Sequence, residues 1–236
     1  MTKAWGYWAT LGWALLAFAA GQLVALAAIV VWRAGALSSL LDMPYDGRFL
    51  TLFLFISTPI TIAVLALAVR LARERFAEYM ALAWPPKRDV ALGILWLIGL
   101  IAVGDALLYL SGRPLVTQFQ AQSYTTAAAE GWLLPMFAAA ILVAPAAEEL
   151  IFRGFLFRGW ARSSGSTWPA IVVISLLWAA LHVQYDWTGI LQIFVIGLFL
   201  GAVRWRSGST LLTFVLHALF NLEGTLETVL QLRLFS

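Results

Sequence analysis

Apolar residues fill this chain in long runs separated by short polar stretches. Read as membrane-crossing helices, the runs fall at roughly 9–32, 49–72, 90–111, 132–161, 168–183, 188–204 and 209–222. The last three are short or interrupted by Gly, as expected of helices buried among others. The first run follows Lys3 and continues unbroken to Val31. That is well past the roughly 7–15 apolar residues of a signal-peptide core, which favours an uncleaved anchor. Residues 223–236 carry Glu223, Glu227 and Arg233 among Leu and Val. They are too short to span alone, and read either as an amphipathic interfacial helix or as an extension of the seventh span. Two connections are long for a compact bundle: 33–48, with Pro44 and Gly47, and 111–131, rich in Gln, Ser and Thr. The second is either a lid or a linker. No internal repeat or soluble domain interrupts the pattern. The expectation is one all-α transmembrane bundle over 1–236, with N-terminal spans in 1–130 and the chemistry in 131–222.

Composition agrees. Of 236 residues 62% are hydrophobic and only 11% charged, with mean hydropathy +0.89. A soluble domain carries about a quarter charged residues, so this is a polytopic membrane protein. The chain has no Cys, which removes disulfides, thiol catalysis and Cys-based metal sites. A net charge of +3 is too small to suggest a nucleic-acid partner. The distribution of that charge says more. With the N-terminus inside, the inner segments hold Lys3, Arg70, Arg73, Arg75, Lys87, Arg88, Arg153, Arg158, Arg162, Arg204 and Arg206. The outer segments hold only Arg33, Arg48, Arg113 and Arg233. Basic residues stay on the cytoplasmic side, so a cytoplasmic N-terminus is expected. Trp5, Trp8, Trp32, Trp84, Trp132, Trp168, Trp187 and Trp205 lie near span ends, as in interfacial belts.

Against this background Ala144-Pro145-Ala146-Ala147-Glu148-Glu149-Leu150-Ile151-Phe152-Arg153-Gly154 stands out. An ionised side chain at mid-bilayer depth costs about 2.5–3.5 kcal/mol, so two adjacent carboxylates need a reason. On a helix Glu149 and Arg153 share a face and can pair. Glu148 lies about 100° round and is left to face something else. A helix end with a surface ion pair would also produce this pattern. The chain's two His, however, both fall in predicted spans. His182 ends Trp178-Ala179-Ala180-Leu181-His182, and His217 begins His217-Ala218-Leu219-Phe220-Asn221, which sets His217 and Asn221 on one face. Glu148 lies 17 residues before Gly165 and His182 lies 17 after it. In an antiparallel pair turning there, both stand at equal height, about 25 Å from the turn. His217 and Asn221 reach about 15–21 Å from a turn near Ser207, so the four groups can share one cavity. Pro145 should kink its helix and free a carbonyl, which suits a polar cavity better than a lipid face. Ala138, Ala139, Ala140, Ala144, Ala146 and Ala147, with Gly197 and Gly201, allow close helix approach, and for the Gly pair packing is role enough.

A buried Glu with two His and an Asn, and no thiol or Ser nucleophile beside them, suits water activation. Glu148 would be the general base that later donates its proton, and His182 would help to hold the water. His217 and Asn221 would donate to the oxyanion of a tetrahedral intermediate. Alternatively Glu148, His182 and His217 hold one divalent metal such as zinc, with an open fourth position. The residues alone leave both open.

Glu148-Glu149-x-x-x-Arg153, the aromatic-x-x-x-His ending at His182, and His217-x-x-x-Asn221, in that order, resemble the CAAX protease and bacteriocin-processing (CPBP, or Abi) family of intramembrane endopeptidases. The resemblance covers about residues 130–222. It implies hydrolysis of a peptide bond in a membrane-anchored protein or peptide, near the cytoplasmic half of the bilayer. The implied site is Glu148, Glu149, Arg153, His182, His217 and Asn221, in a multi-pass protein of a bacterial or archaeal cell membrane. Both glutamate-type and metal-dependent mechanisms are described for the family, so the cofactor is either none or one divalent metal. Trp178 stands where Phe is usual. Family members often have eight spans, which makes 223–236 the candidate for the eighth. Two other readings use the same residues: a non-catalytic relative that holds a membrane partner, and a transporter with a Glu/His proton relay. The intact polar set argues against the first, and the lack of symmetric halves against the second.

Overall fold

The structure, a computed structural model, describes residues 5–32 and 45–233. Lys3, Arg33 and Pro44 of the expectations above lie outside the described residues. Nine helices follow in order, and no strand occurs among the described residues. They are α1 (Tyr7–Trp32), α2 (Gly47–Leu71), α3 (Phe76–Tyr79), α4 (Lys87–Leu110) and α5 (Gln118–Ala129), then α6 (Leu133–Trp160), α7 (Ser164–Ala180), α8 (Trp187–Ser207) and α9 (Thr210–Leu232). Each expected span coincides with a helix. Five of them (α1, α2, α4, α6 and α8) are long and apolar enough to cross a membrane. α7 is apolar but shorter, and α9 is diluted by His217, Asn221, Glu223 and Glu227.

Local chemistry fixes the boundaries. Asp46 caps α2 by accepting from the Arg48 and Phe49 amides, and Thr117 with Gln120 forms a capping box on α5. Ser163 with Ser166 does the same for α7. Gly208, at φ 68°, ends α8 in the left-handed conformation that Gly adopts without strain, and Ser209 caps α9 immediately afterwards. α9 then runs on to Leu232. The stretch after residue 222 is therefore a continuation of the seventh predicted span, and no separate helix follows α9 among the described residues.

The helices alternate in direction, which gives the bundle two distinct ends. At one end the Thr210 amide donates to Ala81 (3.0 Å), the Ser209 hydroxyl to Ala83 (2.6 Å) and the Trp160 indole to Tyr7 (3.1 Å). This end carries Arg70, Arg73, Arg75, Lys87, Arg88, Arg158, Arg162, Arg204 and Arg206, and is the basic end. At the far end the Gly47 amide donates to Thr126 (2.8 Å), while Arg48 pairs with Glu130 (2.8 Å) and Arg113 with Asp186 (3.3 Å). Trp178, Phe155, Tyr79, Leu65, Leu200, Leu212 and Leu216 fill the core between them. Large apolar side chains such as Leu15, Leu95, Val103 and Leu107 cover the outside, as a hydrocarbon solvent requires.

Gly47 is the tightest joint at the far end. A Cβ there would run into the Ser123 carbonyl oxygen, Ala127 and Met136, where α2 meets α5 and α6. Ala is the better helix former by up to about 1 kcal/mol, but overpacking against backbone costs about 1–3 kcal/mol. Gly47→Ala is therefore expected to lower the melting temperature in detergent.

Pro145 acts differently from the expected simple kink. α6 widens into two π-helical stretches, Ala139–Val143 and Leu150–Leu156, with an α-helical turn, Ala144–Glu149, between them. In an i→i+5 turn the Ala144 amide donates to Ala139, and residue 145 would donate to Ala140. Proline has no N–H to give, so the Ala140 carbonyl needs another donor.

Candidate active site

Asn221 supplies it. Its Nδ2 donates to the Ala140 carbonyl at 2.8 Å, across from α9 to α6. A buried carbonyl without a donor costs about 1–3 kcal/mol, so this bond secures the wide turn just ahead of Glu148.

The intervening α-turn points its two carboxylates in different directions. Glu149 is 1% exposed and faces the bundle interior. Its Oε1 accepts from Arg153 Nη1 at 2.8 Å and lies 2.9 Å from His217 Nδ1. Arg153, also 1% exposed, donates from Nη2 to the Gly197 carbonyl (3.2 Å) and lies over the Trp178 ring at 4.5 Å. The expected Glu149–Arg153 pair is thus present and fully buried. Gly197 also does more than pack: it brings its carbonyl to Arg153, and a Cβ on it would crowd Ser175 and Trp178.

Glu148 faces the other way, into a cavity of about 690 Å³ bounded by α1, α2, α6 and the end of α7. Its side chain is 27% exposed. His182 lines the same cavity, so the expected meeting of these two groups is observed as a shared wall. Trp178 connects them: its indole Nε1–H donates to Glu148 Oε2 (2.6 Å), and its carbonyl lies 2.8 Å from His182 Nδ1. The Trp178 ring stands edge-on to both imidazoles, with centroids 5.3 Å from His182 and 5.1 Å from His217. From the sequence Trp178 registers only as an aromatic position. The indole N–H, which Phe lacks, is the signal that could have found its hydrogen-bonding part.

His217 is buried, with Nε2 3.9 Å from Glu148 Oε2. Neither His217 nor Asn221 belongs to the cavity wall, so the four groups do not all share one cavity. Each imidazole has Nδ1 against an oxygen acceptor: a backbone carbonyl for His182, a carboxylate for His217. An Nδ1–H donor at both leaves Nε2 with the lone pair in the neutral ring. Tyr185, on the connection after His182, has its phenol held above the ordinary tyrosine value by burial first, with Tyr124 and Glu148 adding to the shift. It therefore stays neutral.

Free Nε2 atoms with oriented Nδ1–H groups are what a zinc site asks of histidine. Tetrahedral zinc ligands at 2.0–2.1 Å lie within about 3.5 Å of one another. Glu148, His182 and His217 do not converge to that degree. Among the described residues, the only three carboxylate or His ligand atoms within 4.8 Å of one another belong to Asp105, Glu223 and Glu227, elsewhere on α4 and α9. The expected metal set does not fit as it stands.

Residues 130–222 match the family model described as Type II CAAX prenyl endopeptidase Rce1-like. The matched stretch runs from just before α6 through the first half of α9, and contains every candidate site residue. The chain is also 30% identical, over 131 residues, to an Escherichia coli protein described as "Uncharacterized 24.3 kDa protein". That match covers 53% of this chain and 60% of the relative. No solved structure matches the chain significantly. The segment match bears out the resemblance to the CPBP family over these residues.

Proposed function

We propose, from the family match over residues 130–222, that this protein is an intramembrane endopeptidase whose catalytic core is 131–222 and whose spans in 1–130 shape the approach to it. The observation that carries the proposal is Glu148, a carboxylate open to an apolar cavity in a buried bundle, with His182 on the same wall and His217 behind it.

In this mechanism a water sits between Glu148 and the free Nε2 of His182. Glu148 takes its proton, and the hydroxide forms the new C–O bond at the scissile carbonyl. The negative charge moves to the carbonyl oxygen. For this step His217 must carry a proton on Nε2 as well as the Nδ1–H that faces Glu149; it then donates to the oxygen from Nε2, and the second N–H of Asn221 adds to it. The C–N bond then breaks as protonated Glu148 returns its proton to the leaving amine. One water is consumed, and an acid and an amine result. Glu149 and Arg153 touch no reacting atom and position His217 and Trp178.

The same proposal takes the helices as seven spans of one domain, 1–236, with the basic end cytoplasmic. The cavity rises from Glu148 toward the far end, where Tyr45, Phe119 and Gln184 line it. A cytoplasmic N-terminus and cleavage in the cytoplasmic half therefore pull apart in this fold. With the basic end cytoplasmic, the proposed site of cleavage lies toward the outer side of the bilayer.

The test is cleavage of a panel of membrane-anchored fluorogenic peptides by purified protein in liposomes. Folded, monodisperse protein that cleaves none of them would count against the proposal. Chelators should leave the rate unchanged. Asn221→Ala should cost about 10²–10³-fold as a lost oxyanion donor, and should also lower the melting temperature by orphaning the Ala140 carbonyl. One tightly bound metal per chain, together with an active Asn221→Ala protein, would replace this mechanism with a metal-dependent one.

A further inference from the structure

We infer that water reaches Glu148 from a separate polar vestibule, and that the Phe119 side chain is the partition between the two. The purpose of this route rests on the peptidase reading; its geometry does not. A second cavity, of about 290 Å³, lies at the far end of the bundle beside the first. Arg113 and Asp186 form part of its wall, with side chains 52% and 62% exposed, and this ion pair marks a side that faces water. Gln184 and Gln192 line it too, as half-buried primary amides whose side chains hydrogen-bond to no described residue. Half-buried amides with unused donors and acceptors are satisfied by water.

The cavity that holds Glu148 has the opposite character. Leu23 and Val183 on its wall are 64% and 81% exposed, and such side chains suit a lipid boundary. A substrate segment arriving from the bilayer meets that apolar mouth, whereas the water that hydrolysis consumes is held on the polar side. Among the described residues, only three line both cavities: Tyr45, Phe119 and Gln184. The Phe119 ring stands edge-on to Tyr45 (centroids 6.2 Å) and to Tyr185 (5.3 Å), and Tyr185 stands 6.1 Å from the His182 ring. Phe119 sits in the first turn of α5, where the Thr117–Gln120 capping box fixes the backbone. Turning its side chain alone opens the partition, and α5 need not move.

The cysteine-free sequence allows a direct test, because one introduced Cys is the sole thiol. Gln192→Cys reports on the vestibule and Ala147→Cys on the cavity beside Glu148. Protein in nanodiscs, with both faces accessible, is treated with a charged methanethiosulfonate. Gln192→Cys should react quickly whatever stands at position 119. Ala147→Cys should react slowly behind Phe119, about tenfold faster with Phe119→Ala, and no faster with Phe119→Trp, since thiol modification follows access. Equal Ala147→Cys rates in all three backgrounds, or an unreactive Gln192→Cys, would overturn the inference. If Phe119→Ala unfolds the protein, Phe119→Leu provides the same comparison with more of the volume kept. Labelling needs no turnover. A protein that labels as expected but cleaves no peptide keeps the route and loses the peptidase reading.

Discussion

Glu148→Gln is expected to leave the protein folded and to remove at least about 10²-fold of its peptide hydrolysis, the magnitude of a lost general base. The exchange is nearly isosteric. A glutamine oxygen still accepts from the Trp178 indole, the short bond that holds the side chain in place. Glu148 is partly open to the cavity and forms no ion pair with an Arg or Lys among the described residues, so its charge is not what holds these helices together. What glutamine cannot do is take a proton from water and return it to an amine. The melting temperature should therefore match wild type within about 2 °C, the shift expected from well under 1 kcal/mol in a chain of this size. Near-normal turnover by Glu148→Gln would end the general-base assignment.

Glu149→Ala and Arg153→Ala are expected to lose stability and activity together. Both side chains are 1% exposed, and removing either leaves the other as an uncompensated buried charge. Breaking such a pair costs about 3–5 kcal/mol, whereas replacing both partners is far milder. Glu149→Ala carries a second loss, because His217 Nδ1 no longer faces a carboxylate. The double variant Glu149→Ala/Arg153→Ala should consequently melt higher than the sum of the single losses allows, yet remain inactive. Thermal melts in detergent, set beside Glu148→Gln, separate the two carboxylates. If Glu149→Ala melts like wild type while inactive, Glu149 belongs to the chemistry and not to its support.

The parts of this molecule that depend on one coordinate were legible in the sequence. A bilayer demands apolar runs of about twenty residues, so helix positions follow from composition along the chain. The Glu149–Arg153 pair follows from a spacing of four, and the shared wall of Glu148 and His182 follows from equal distance to the turn near Gly165. What stayed hidden depends on how each helix is rotated about its axis, which packing decides. The Trp178 N–H turns toward Glu148, and one Asn221 N–H turns toward the Ala140 carbonyl. The continuation of α9 is one of two readings that the sequence leaves open, for a related reason. Glu223 and Glu227 interrupt the apolar run, and what decides is that Thr225 and Thr228 on the same turns are buried, with Thr225 meeting the Tyr124 hydroxyl at 2.7 Å.

The wide turns of α6 bear on how its length can change. An i→i+5 turn holds one residue more than an i→i+4 turn of the same helix. One residue can therefore be deleted from Ala139–Val143, or from Leu150–Leu156, by letting that stretch close to ordinary α-helix. The helix beyond the deletion keeps its angular phase, and the connections at 131–132 and 161–163 stay where they are. A single-residue gap in this part of a relative's helix is thus compatible with an unchanged direction for Glu148, whereas the same gap between Ala144 and Glu149 would turn one carboxylate away from its partners.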